Sequence, residues 1–166
     1  MEIKPWLILL HVLGAFGFLA AHGISMGVFF RMRKERDRGR LTTLLEFSTV
    51  YLGALYLFLL VLLVSGVAAG IVGGRWTNGE LWLWVSLGVL IATTVAMYYL
   101  MTYPVAAIRS GLGIQGMDDK KKGIMPTPVS DAELEVLLTS RRPVIGAAVG
   151  IGAILVITWL MEMKPF

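Results

Sequence analysis

The chain has no cysteine among its 166 residues. That excludes disulfides, thiolate metal centres, iron–sulfur ligation, covalent c-type haem attachment and any lipid anchor on cysteine. Histidine is almost as scarce, with only His11 and His22. Charged residues make up 16% of the chain against 57% hydrophobic ones, a balance too apolar for an ordinary soluble domain and spread over too few residues for several domains. There is no H-E-x-x-H, nucleophile elbow, phosphate loop or kinase set, so no catalytic residue and no enzyme activity is assigned. The apolar runs lack the interior carboxylates of ion-coupled pumps, and none is clearly broken as in many transporters. The net charge of +4 reports loop placement in a chain this apolar, and no nucleic-acid partner is expected. At the N-terminus, "MEIKPW" is a poor signal peptide: Glu2 and Lys4 cancel, and the apolar run behind them is too long for a cleaved segment.

What is present is four apolar runs, at about 6–30, 46–73, 81–103 and 143–162, each near the ~20 residues a helix needs to cross a bilayer. Backbone groups left unpaired in lipid are costly, so the runs are expected to be helices, and their lack of alternation argues against a barrel. The predicted fold is an all-α, single-domain integral membrane four-helix bundle over residues 1–166, with the lipid bilayer as its surroundings. The loops at 31–45 and 104–142 each carry six basic residues, whereas the rest of the chain outside the spans holds only Lys4, Arg75 and Lys164. Twelve against three predicts both basic loops in the cytoplasm and both termini outside.

Local patterns refine this layout. "TNGE" (77–80) has the form of a capping box before the third span, and Trp76, Trp82 and Trp84 suit an outer aromatic belt, with Tyr98, Tyr99 and Tyr103 at the inner end. Pro104 is expected to end or kink the third helix. "SDAELEVLL" (130–138) repeats the capping pattern and continues as a short amphipathic helix lying on the inner face, and Pro143 suits the first turn of the fourth span. "GIQGMDDKKKGIMPTP" (113–128) reads as a mobile loop.

The two histidines lie eleven residues apart, which on a helix is roughly three turns plus 20° and a rise of about 16.5 Å. They therefore share a face, with His11 toward the outside and His22 below the middle. Ionisable side chains at that depth usually face the bundle interior. Two roles fit: neutral helix–helix contacts, or ligation of haem, copper or zinc through imidazole. Two bis-histidine haems would need four histidines, and methionine is an alternative haem ligand. By depth, Met97 comes level with His22 and Met161 with His11, while Met26 and Met101 share a deeper layer. Each also serves as plain packing. A dimer could instead pair histidines from two chains, and a singly ligated haem with an open site is a third arrangement. Gly14 leaves room for a macrocycle or for close helix contact, and "GAAVG" (146–150) is an ordinary small-xxx-small contact. Arg75 and Arg109, near opposite membrane faces, are candidates for haem propionates or for interface anchoring. Glu46 reads as a carboxylate at the inner end of its helix.

With the spans and His11 placed, the chain resembles small bacterial four-helix membrane proteins of the copper-resistance D group. The likeness rests on "LHVLGAFGFLAAHG" (10–23), the basic loop after it, "LLVLLVSGVAAGIVGG" (59–74) and "WLMEMKPF" (159–166). It implies a multi-pass protein of the bacterial plasma membrane with a histidine, here His11, near the outer end of its first helix. The layout is also similar to compact di-haem membrane cytochromes that exchange electrons with quinones. The leading expectation is a redox module holding b-type haem through His11, His22 or both, with a quinone or redox protein as partner. The second is copper binding or transfer through His11, His22, Met26, Met97 and Met101, and the third is a non-catalytic membrane subunit.

Overall fold

The computed structural model describes residues 2–77 and 79–166. Its elements run α1 (Lys4–Met32), α2 (Arg38–Val72), α3 (Leu81–Met97), a π-helical turn (Tyr98–Thr102), α4 (Tyr103–Gly111), α5 (Met117–Lys122), α6 (Asp131–Leu138) and α7 (Arg142–Met163). Among the described residues four helices are long and apolar enough to cross a membrane: α1, α2, the continuous run Leu81–Gly111, and α7 within Asp131–Met163. Only 11–17% of their most apolar windows is buried in protein. A helical surface this greasy needs lipid to cover it, which makes the chain a multi-pass membrane protein.

The bundle consists of two helical pairs, α1 with α2 and α3 with α7. The first pair is tight because glycine admits its neighbour: a Cβ at Gly14 would come 2.9 Å from the backbone nitrogen of Leu62, and the Phe58 ring sits against Gly17. In the second pair Gly146 and Gly150 receive Met101 and Met97, so "GAAVG" is indeed a close-packing stripe. At the end that carries the α1–α2 turn, the pairs are sealed together. Phe29, Met32, Leu41, Leu45, Ile108, Leu134 and Leu138 form one buried cluster there. Burying a side chain of this size contributes about 1.5–3 kcal/mol.

Several boundaries differ from those expected. Helix α2 starts at Arg38 rather than 46, because Asp37 accepts the Arg40 N–H at 2.8 Å and caps it. Only residues 33–37 remain of the expected loop 31–45. The third helix does not end at Pro104. The π-helical turn before it, in which the Tyr103 N–H reaches the Tyr98 carbonyl, absorbs the proline, and the helix runs on to Gly111. The segment 113–128 contains α5 and is tied back where the Val129 N–H meets the Gly111 carbonyl at 2.9 Å.

The capping box of α6 forms as expected: Ser130 accepts the Glu133 N–H and Glu133 accepts the Ser130 N–H at 3.0 Å. Part of its apolar side faces protein. Leu134 and Leu138 plug the protein cluster, with α6 packed on α4. Ion pairs from Arg36 to Glu135 and from Arg38 to Asp131 hold it to the first loop. "TNGE" makes no such box. The Thr77 hydroxyl donates to the Gly74 carbonyl, and Glu80 stands at the N-cap of α3 without a side-chain capping bond. Asn78 lies outside the described residues.

Candidate functional site

Away from the sealed end the two pairs enclose a cavity of about 410 Å³, lined by α1, α2, the α2–α3 turn, α3 and α7. His11 lines it. Its ring lies against Gly66, where a Cβ would stand 2.7 Å from Cε1 and 2.8 Å from Nδ1. Any larger residue at 66 would push the imidazole away. Nδ1 donates to the Leu62 carbonyl at 2.8 Å. This bond sets the tautomer with the lone pair on Nε2. Nε2 has no hydrogen bond among the described residues and is not a sealed-in orphan, and the residue lines the cavity. An imidazole oriented by a carbonyl on one nitrogen and open at the other is the usual preparation of a metal-binding histidine.

The rest of the lining is mostly apolar. Met161 lines the same cavity as His11. Trp76 and Trp82 line it too, which corrects the belt reading for both. The Trp82 indole is only 7% exposed and donates to Glu80 at 2.9 Å, and Trp76 donates to the Val67 carbonyl at 3.2 Å. Trp84, packed edge-on against Trp76, does face outward, as do Tyr98, Tyr99 and Tyr103. Arg75 reaches the cavity while paired with Glu80 at 3.0 Å.

The other candidates fall elsewhere. His22 does not line the cavity. It stacks on Phe18, with ring centroids 5.8 Å apart, and meets α7 at Gly150 beside the methyl of Met97. His22 and Met97 are therefore brought together, but apart from His11. Met26 is buried, and Met101 packs between Gly146 and the sealed cluster. The room at Gly14 is taken by the backbone of α2, which leaves none for a macrocycle there. Arg109 lies at the opposite end of the bundle from the cavity and donates to the Thr49 hydroxyl at 2.8 Å. Glu46 is exposed on α2. Among the described residues no group of three or more His, Asp or Glu converges as a metal-binding set.

Among the cavity residues to which the sequence reading gave no role in the site are Gly66, Lys4 and Lys164, and the two lysines are charged. The sequence held a signal for them in their position: with Arg75 they are the only cations at their end of the bundle. No family model matches the chain, and no curated protein or solved structure matches it either, so the site is read from its own geometry.

Proposed function

We propose that the protein is a membrane-embedded redox module that holds b-type haem in this cavity, with His11 as axial ligand. The supporting observation is the His11 imidazole, with Nδ1 tied to the Leu62 carbonyl and Nε2 without a hydrogen bond among the described residues, on a residue that lines a largely apolar cavity. The cavity volume lies within the roughly 300–1,000 Å³ of ligand pockets. Met161 is the candidate for the opposite axial position because it lines the same space. Bound haem would supply reversible one-electron exchange. The chain's part is to orient the imidazole, exclude water with its apolar walls and set the potential through the ligand pair. His22 has no place in this site, so the reading is of one haem rather than two. On this reading the basic loops face the cytoplasm of a bacterial cell and both termini the outside, as the loop-charge bias favours, and the cavity lies in the outer half of the plasma membrane.

The test is the absorption spectrum of detergent-purified protein. We expect a Soret band that shifts on reduction with dithionite, is lost in His11→Ala and persists in His22→Ala. Protein that is colourless and takes up no added hemin would refute the reading. The absence of cysteine makes orientation testable as well. A cysteine placed at Gly79 should react with an impermeant maleimide added to intact cells, and one at Lys121 should not.

A second reading, copper(I) binding, draws on the imidazole and thioether that converge at Gly150, His22 and Met97. Soft thioether ligands suit copper(I). A colourless preparation that retains copper, and releases it in His22→Ala, would favour it over haem.

A further inference from the structure

The chain has fifteen basic residues, and only Lys4, Arg75 and Lys164 lie at the cavity end. They come from the start of α1, the α2–α3 turn and the residue after α7, yet all three line the one cavity. The carboxylates of that end, Glu2, Glu80 and Glu162, are absent from its lining. Glu80 is spent on Arg75, and neither Lys4 nor Lys164 makes an ion pair among the described residues. Cations gathered at a low-dielectric cavity raise the local potential and draw an anion to it. Retaining basic residues here also runs against the charge bias that orients the bundle.

We infer that the cavity takes an apolar ligand bearing carboxylate groups, and that Lys4, Arg75 and Lys164 hold its acid end while the body reaches inward toward His11. This rests on the haem reading and deepens it, because haem is such a ligand through its two propionates. It assigns Lys4 and Lys164 as specificity-determining residues and leaves Arg109, bonded to Thr49 at the other end, out of the site. Charge-assisted hydrogen bonds are the strong ones, so removing the acid groups should be felt as a large loss of affinity.

The test compares hemin with hemin dimethyl ester, which keeps the iron and the macrocycle but lacks free carboxylates. Purified protein in a neutral maltoside detergent is titrated with each and followed by absorbance. We expect the wild type to prefer the free acid by about tenfold or more. The double variant Lys4→Ala, Lys164→Ala should bind both forms within about twofold of each other while keeping the wild-type Soret position, because His11 is untouched. The double variant Lys4→Arg, Lys164→Arg should restore the preference, which a fold defect would not allow. Equal affinity of the wild type for acid and ester, or an undiminished preference in the alanine variant, would overturn the assignment. If hemin does not bind at all, the haem reading fails and the carboxylate site is decided by cis-parinaric acid fluorescence. Preference for that acid over its methyl ester, lost in the alanine variant, would sustain the site for another acidic amphiphile, and no preference would end it.

Discussion

At the end with the α1–α2 turn, Met32, Leu41, Leu45, Ile108 and Leu138 are almost fully buried, and α6 is clamped over them by ion pairs to the first loop. At the other end the same four long helices leave about 410 Å³ open between them. The two regions also differ in where their cations reach. Around the sealed end arginines meet their partners: Arg36 with Glu135, Arg38 with Asp131, and Arg33 with the carbonyls of Thr139 and Ser140. Around the cavity, Lys4 and Lys164 meet no carboxylate among the described residues. Close packing holds the fold together at one end, while open space lined by Lys4 and Lys164, which make no ion pair among the described residues, makes the other end suited to a ligand.

The sharpest way to separate the two ends is His11→Ala. We expect it to abolish the haem-type spectrum while the thermal stability of the bundle changes little, since the sealed cluster does not involve it. The converse is Leu138→Ala, which empties a fully packed site and should cost about 2–5 kcal/mol in a denaturant titration in mixed micelles. Hemin affinity per folded molecule should survive that change, and its loss would mean that the two ends are coupled. Gly66→Ala sharpens the comparison inside the cavity. The added Cβ collides with the His11 ring and displaces it from the Leu62 carbonyl. Loss of such an orienting bond should weaken hemin binding by about tenfold, measured by titration. Ser130→Ala removes the cap of α6 and should cost about 1 kcal/mol, with no effect on the spectrum.

The smallest effect expected is that of acid. The Glu35 carboxyl is held below its ordinary value of 4.5, chiefly by the backbone N–H groups of Asp37 and then Arg36, with the Arg40 and Arg31 charges adding to them. Its contribution is present above that value and is lost as pH falls through the depressed one. As pH falls through that depressed value the α1–α2 turn should therefore loosen slightly, seen as faster amide exchange at residues 33–37, without change in any Soret band. Equal exchange at pH 3 and pH 6, after correction for the intrinsic rate, would count against this role for Glu35.

Much of this layout is legible in the amino-acid order, and the exceptions are instructive. The lipid-crossing stretches are plain because hydrocarbon thickness sets their length, but hydropathy marks where lipid touches a helix rather than where the helix begins. Arg38 and Arg40 are helical, so α2 starts eight residues before its apolar run suggests. Pro104 announces an irregularity, and it takes the form of a π-helical turn whose Leu100 and Met101 pack against Gly146 of α7. Leu134 and Leu138 announce an apolar face, but a membrane surface and a protein cluster call for the same pattern. Pairing by depth placed Met97 with His22 correctly, since both stand at Gly150 and rise per residue is fixed.

Composition, run length and loop charge were thus enough to dictate four membrane-length helices with all but three cations at one end, because the bilayer penalises every alternative. The common face of His11 and His22 likewise follows from helix geometry alone. What those rings meet did not. Gly66 makes room for one and Gly150 for the other, and only the pairing of α1 with α2 and of α3 with α7 decides that these are two separate surroundings. The grouping of Lys4, Arg75 and Lys164 around one cavity is of the same kind. They are far apart along the chain, and nothing local links them until the helices are packed.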